Sequence, residues 1–183
     1  PWQDTVNWEY ESSSERLVKK GYITPIHDLV IEHPELGNIT EEILEDDNYT
    51  ILAVAYNINK SDADAQPALN RLANLAREKG YRFYGLTSSS RKDIQAYRTR
   101  HHVPYEFCAA DEIQLKTIIR SNPGVIILRQ GTILDKRAGK DIPDIKDLKD
   151  TDLAAYCLQS QQEMQRNYLV YSFILLFFVA YLL

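Results

Sequence analysis

The sequence predicts an α/β sandwich, a central mixed sheet with helices on both faces, followed by a C-terminal apolar helix. Three observations carry this. Short apolar runs alternate with amphipathic helix patterns, which argues for a mostly parallel sheet with right-handed crossovers. An Asn-Pro-Gly step, "NPGVIILRQGTI", opens two short runs folded about "RQG", which adds an antiparallel hairpin. The chain from Tyr168 to Leu183, "YLVYSFILLFFVAYLL", carries no charge.

In chain order, "TEEILEDDNYT" is expected to form a short helix capped at Thr40 and ending before Asn48. Ile51 to Tyr56 is an apolar run suited to a strand buried on both faces. "NINKSD" is a polar loop. Ala65, Ala68, Leu69, Leu72, Leu75 and Ala76 then follow the i, i+3, i+4 pattern of an amphipathic helix. Pro67 is tolerated only in its first turn, so the helix should start near Asp64, and Gly80 stops it. Tyr81 to Thr87 is a second strand, and "SSS" caps the helix "RKDIQAYRTRHH". Pro104 breaks the chain before the extended piece "YEFC". Asp111 and Gln114 form a capping-box pattern for a helix whose apolar side holds Ile113, Ile118 and Ile119. Val125 to Leu128 and Thr132 to Asp135 make the hairpin. A polar stretch after Gly139 leads to a final helix from about Asp152.

With 44% hydrophobic and 26% charged residues, the chain is sized for one globular domain plus extras. A formal charge of −5 argues against nucleic acid as a partner. The basic cluster Arg91, Lys92, Arg98 and Arg100 and the acidic cluster Glu41, Glu42, Glu45, Asp46 and Asp47 read first as solvated helix faces. Two widely spaced cysteines, Cys108 and Cys157, exclude a CxxC pair, a cysteine-rich zinc site and a disulfide scaffold. His101 and His102 point about 100° apart on a helix and cannot easily share one ion, so no metal site is expected; no cofactor is expected either. The sequons Asn38-Ile-Thr40 and Asn48-Tyr-Thr50 matter only in a eukaryotic secretory setting.

The apolar tail would span ~24 Å as a helix, somewhat short of the ~30 Å of a hydrocarbon core. Two readings are open: a transmembrane helix in contact with lipid, or a buried C-terminal helix. Its apolar or tyrosine side chains all round, with Tyr168 and Tyr171 placed as an aromatic belt, favour the membrane. The flank from Asp150 to Arg166 lacks a Lys/Arg excess, which favours a non-cytoplasmic globular part. The chain starts at Pro1 without a visible signal peptide, so it is expected to be a fragment or a processed product. Trp2 and Trp8 read either as interfacial anchors or as residues packed on the domain surface. The organisation expected is a lead-in at 1–20, possible neighbour of a membrane, a sandwich domain at 21–150, and a juxtamembrane and transmembrane helix at 151–183.

The segments "GYITPIHDLVI", "YTILAVAY", "YRFYGLTSS" and "PYEFCAADEIQLKTIIRSNPGVIILRQGTI" resemble the lead-in hairpin, core strands, cis-proline loop and last hairpin of extracytoplasmic thiol–disulfide oxidoreductases and peroxiredoxins. The resemblance covers roughly Gly21 to Gly139 and implies a thioredoxin-like fold. "LKTIIRSNPGVIIL" with the later "DIPD" further resembles the thioredoxin-like domain attached to DoxX-type membrane proteins of Bacteroidetes. That implies an integral-membrane partner or an upstream membrane segment.

In such relatives the cysteine pair follows the first core strand, at a helix N-terminus that stabilises the thiolate. Here that place reads Asn57, Ile58, Asn59, Lys60, Ser61, Asp62, with no thiol. The resemblance implies a cis Asn122–Pro123 bond facing Asn59 and Lys60, and a loop that either binds an extended chain or serves as a structural turn. Asn59, Lys60, Asn122 and Pro123 are the candidate binding residues. Cys108, just before the helix N-terminus near Asp111, is either an activated thiol or a small buried hydrophobe. Cys157 reads as packing. The leading expectation is a membrane-tethered, non-catalytic accessory or interaction domain. The alternatives are a single-cysteine thiol or peroxide redox enzyme using Cys108, and a soluble binding domain with a buried tail.

Overall fold

A computed structural model describes residues 29–142 and 153–182. The expectations for the lead-in, for Trp2 and Trp8 and for most of "GYITPIHDLVI" lie outside these residues. The chain forms strands β1 (Glu32–His33) and β2 (Gly37–Asn38), helix α1 (Thr40–Leu44), β3 (Thr50–Val54), α2 (Gln66–Lys79), β4 (Arg82–Thr87), α3 (Arg91–His101), β5 (Glu106–Ala109), α4 (Glu112–Ile118), β6 (Gly124–Arg129), β7 (Thr132–Ala138) and α5 (Leu153–Leu182). The strands make one sheet in the order β2-β1-β5-β4-β3-β6-β7. β3, β4 and β5 run parallel, with Ile51 beside Phe83 and Leu86 beside Cys108. β6 lies antiparallel to β3, with Leu52 opposite Ile126, and β7 returns antiparallel to β6.

Side-chain alternation divides the core in two. Ile51 and Ala53 of β3, with Val125 and Ile127 of β6, face α2, α3 and the first turns of α5. Leu52, Val54, Ile126 and Leu128 face α1, α4 and Cys108 on the other side. Both strands are therefore buried on both faces, which is why they read as continuous apolar runs.

Local chemistry sets the boundaries. Pro67 lies in the first turn of α2, where its missing N–H costs nothing, and Gly80 ends the helix in the left-handed region at φ 73°. Ser90 caps α3, and Asp111 caps α4 through the Ile113 and Gln114 N–H groups. Gln130 and Gly131 both have positive φ, the two-residue turn whose twist suits the β6–β7 hairpin. Thr40 does not cap α1; it sits inside the first turn, and Asn38 accepts hydrogen bonds from its N–H and its hydroxyl. Ile113 is exposed; the inward side of α4 is Leu115, with Ile118 packed against the core and Ile119 buried just after the helix, as expected.

A β1–β2 hairpin, not anticipated from the sequence, falls at residues 32–38. His33 builds it. Its Nδ1 accepts the N–H groups of Glu35 and Leu36, each at 3.2 Å, so Nε2 carries the hydrogen and donates to Glu106 at 2.6 Å. One imidazole thus folds the turn and docks it on β5.

The transmembrane expectation is corrected at α5. Among the described residues no helix is long and apolar enough to cross a membrane. The helix is continuous, but its first half is polar in sequence through Gln159 and Arg166, and the apolar run begins only at Tyr168. A span takes about 20 apolar residues. Leu153 and Cys157 are buried against the sheet, while Tyr168, Leu169, Tyr171, Phe173, Leu176 and Phe177 are exposed.

Candidate functional site

The place between β3 and α2 is a pair of single turns, Ile58–Lys60 and Ala63–Ala65, in front of the long helix. Asn57 organises the first. Its side-chain oxygen accepts the N–H groups of Asn59 at 3.1 Å and Lys60 at 3.2 Å. These are donors of the kind that would stabilise a thiolate, and here a neutral carboxamide satisfies them. Asp62 does the same for the second turn, accepting the Asp64 N–H at 3.0 Å. Ile58 is buried, and its N–H donates to Ser89 Oγ at 3.0 Å.

The loop before β6 closes over these turns. The Asn122–Pro123 bond is cis, as expected. Asn122 Nδ2 donates to the Asn57 carbonyl at 2.8 Å, and the Asn122 carbonyl accepts the Asp62 N–H at 3.0 Å. The Pro123 carbonyl accepts the Gly139 N–H at 2.9 Å. Gly139 is a close approach: a Cβ there would lie 2.9 Å from that carbonyl oxygen. Asn122 and Pro123 thus meet Asn57, Asp62 and Gly139. Lys60 is exposed. Asn59 is turned to α3, where hydrogen bonds from Ser90 and then Asn59 hold the Asp93 carboxyl below its usual range.

Beneath the start of α2 lies a polar network that sequence reasoning missed. Tyr97 donates to Gln66 Oε1 at 3.0 Å, and Gln66 Nε2 donates to the Tyr105 hydroxyl at 3.0 Å and to Asn70 Oδ1 at 2.8 Å. Asn70 in turn donates to the His101 carbonyl at 2.9 Å. Gln66 is buried, and burial pushes both tyrosine hydroxyls above their ordinary pKa. The signal was present in the spacing: Gln66 shares a helix face with Leu69, Ala73 and Ala76.

Cys108 has none of the features of an activated thiol. It is fully buried in β5 between α4 and the sheet, and burial, with the Glu106 charge second, pushes its thiol up to about 12. Of the two readings of its place before the α4 N-terminus, the small buried hydrophobe is the one found, because the side chain points into the core. Cys157 is buried in the other core, across the sheet, so the two thiols cannot pair. Among the described residues no group of His, Cys, Asp and Glu could hold a metal ion.

No protein-family model matches the chain, and no curated protein matches it in sequence. Solved structures do. A candidate thioredoxin of Neisseria meningitidis is similar at 12% identity and a TM-score of 0.51, over 76% of this chain and 89% of that one. A thiol-disulfide oxidoreductase of Bacteroides fragilis is similar at 16% identity and 0.49, over 60% and 88%. A thiol:disulfide interchange protein of a Bacteroides species is similar at 14% identity and 0.48, over 67% and 90%. The fold is thioredoxin-like.

Proposed function

We propose that this chain is a redox-inactive thioredoxin-like domain that acts as an accessory or interaction module at a membrane, as part of or partner to a DoxX-like membrane protein. The observation that carries the reading is Asn57: a carboxamide sits where a thiolate would be stabilised. Cys108, the one thiol near that end, is buried and raised in pKa. The contact we assign to this end of the fold uses the exposed Lys60, with Asn59 held toward α3 and Asn122 and Pro123 holding the loop shape. Our assignment of the globular part to the periplasm, at the inner membrane of a Gram-negative bacterium, follows from the resemblance of "LKTIIRSNPGVIIL" and "DIPD" to the domain attached to DoxX-type membrane proteins.

The test is alkylation of the folded protein, read by mass spectrometry. Cys108 is expected to stay unlabelled at neutral pH until denaturant is added. Labelling of folded protein with a pKa below the ordinary ~8.5 would establish the redox reading instead. The raised pKa has a second consequence. The unfolded thiol ionises near 9 and the folded one near 12, so this contribution to stability is intact below pH 9 and is lost between those values. Each pH unit in that window removes about 1.4 kcal/mol. Chemical denaturation from pH 8 to 11 should show the fall, and Cys108→Ala should remove its part between pH 9 and 10, the buried tyrosines adding to the fall above pH 10.

Membrane attachment is read from the apolar end of α5, where large side chains are exposed on every side of the helix. Such a surface needs a cover, and lipid suits one that is apolar all round. The protein should float with phospholipid vesicles in a density gradient. Phe173→Asp with Phe177→Asp should leave it at the bottom, and flotation of that variant at wild-type level would defeat the assignment.

A further inference from the structure

A groove of about 580 Å³ lies between α3 and the β1–β2 turn, at the sheet edge away from β7 and α5. Its floor is apolar: Val103 and Phe107 are buried and Ile94 is half-buried. One wall is the α3 face that carries Arg91 and Arg98, i and i+7, and the opposite wall carries Glu35 and Glu106. Glu106 accepts from His33. Arg91 and Arg98 have no ion-pair partner among the described residues, although the two acidic side chains line the same groove. The fold holds these opposite charges apart over an apolar floor.

We propose that this groove is a docking site for an extended acidic polypeptide segment, one apolar side chain on the Ile94, Val103 and Phe107 floor and acidic side chains against Arg91 and Arg98. Charge selects the occupant. Arg91 and Arg98 share one side of α3 and form a basic strip along the groove, and the helix as a whole, with Lys92 and Arg100 on its other sides against one acidic residue, Asp93, on a chain of net charge −5, would steer an acidic partner. The Glu35 and Glu106 wall works against a continuous polyanion such as a nucleic acid or an anionic lipid surface. Beside a polypeptide, the same carboxylates can accept main-chain N–H groups. The volume is within the range of sites that take a small ligand or a few residues. The proposal names a partner surface for the interaction role above. It does not depend on whether Cys108 labels, so the two can fail separately.

The test uses the full chain and a fluorescein-labelled, end-capped peptide of alternating glutamate and leucine, six residues long, followed by fluorescence anisotropy. The Glu-Leu peptide is expected to bind, with affinity falling as salt rises. Arg91→Gln with Arg98→Gln should weaken it at least about tenfold, roughly the loss of one charge-assisted hydrogen bond. Both arginines are exposed, so circular dichroism of the variant should match wild type. Phe107→Ala would risk the fold, so Ile94→Ser serves as the floor variant and should also weaken binding. The proposal is overturned if the peptide does not bind, if the arginine variant binds it as well as wild type does, or if the matching Lys-Leu peptide binds equally. Binding of polyphosphate or phosphatidylglycerol vesicles in place of the peptide would also overturn it and make the strip an anion or lipid contact.

Discussion

Replacing Asn57 by cysteine is expected to give a thiol more acidic than an ordinary cysteine. The side chain of residue 57 already sits against the N–H groups of Asn59 and Lys60. A thiolate accepting the same donors is favoured over the thiol, and that lowers its pKa below ~8.5. The thiolate fraction at pH 7, a few per cent for a free cysteine, should rise about tenfold, and alkylation with it. Loss of the amide cap costs about 1 kcal/mol, which the domain should tolerate. Cys108 and Cys157 are buried and give little background. A pH profile of alkylation for Asn57→Cys that turns over at the ordinary pKa would mean that the turn is not an anion-stabilising setting, and the relation of this place to a thiolate site would fail with it.

The largest stability effect should come from Gln66→Leu. The amide serves two buried tyrosine hydroxyls, as acceptor for Tyr97 and donor to Tyr105. Leucine fills similar space but leaves both hydroxyls without that partner, at about 1–3 kcal/mol each. A loss of about 2–5 kcal/mol is expected, seen as a lower denaturation midpoint at unchanged slope. Adding Tyr97→Phe and Tyr105→Phe should restore part of it, because the two buried hydroxyls are then gone and only Asn70 Oδ1 has lost its donor. A loss below about 1 kcal/mol for Gln66→Leu would mean that other groups serve these hydroxyls.

Much of the sandwich was legible because local chemistry and tertiary packing agree there. Pro67 and Gly80 bracket α2, Ser90 and Asp111 cap their helices, and the apolar runs of β3 and β6 match strands buried on both faces. The β1–β2 hairpin was not legible. Its strands are two residues each, and what holds them is His33, whose partner Glu106 lies far along the chain. The candidate site was legible as an absence of thiols but not as a geometry. That Asn122 reaches Asn57 rather than Asn59 depends on how two single turns stack, and residue spacing carries no trace of that. Cys108 shows the same limit: its position before a helix start was readable, its direction into the core was not.

α5 contains no glycine or proline from Leu153 to Leu182, and its first turns are embedded in the core through Leu153 and Cys157. It is a strut about 45 Å long with no built-in hinge. The apolar run begins roughly 23 Å along the axis from Leu153. The angular setting of the domain about that axis is fixed by the same helix. Two residues added in the polar half would turn one end against the other by about 200°, whereas seven would nearly restore the facing at a greater distance. Under the proposed attachment, helix phase, and not length alone, would therefore decide which side of the domain, the Pro123 loop or the α3 groove, is presented to a partner fixed at the far end.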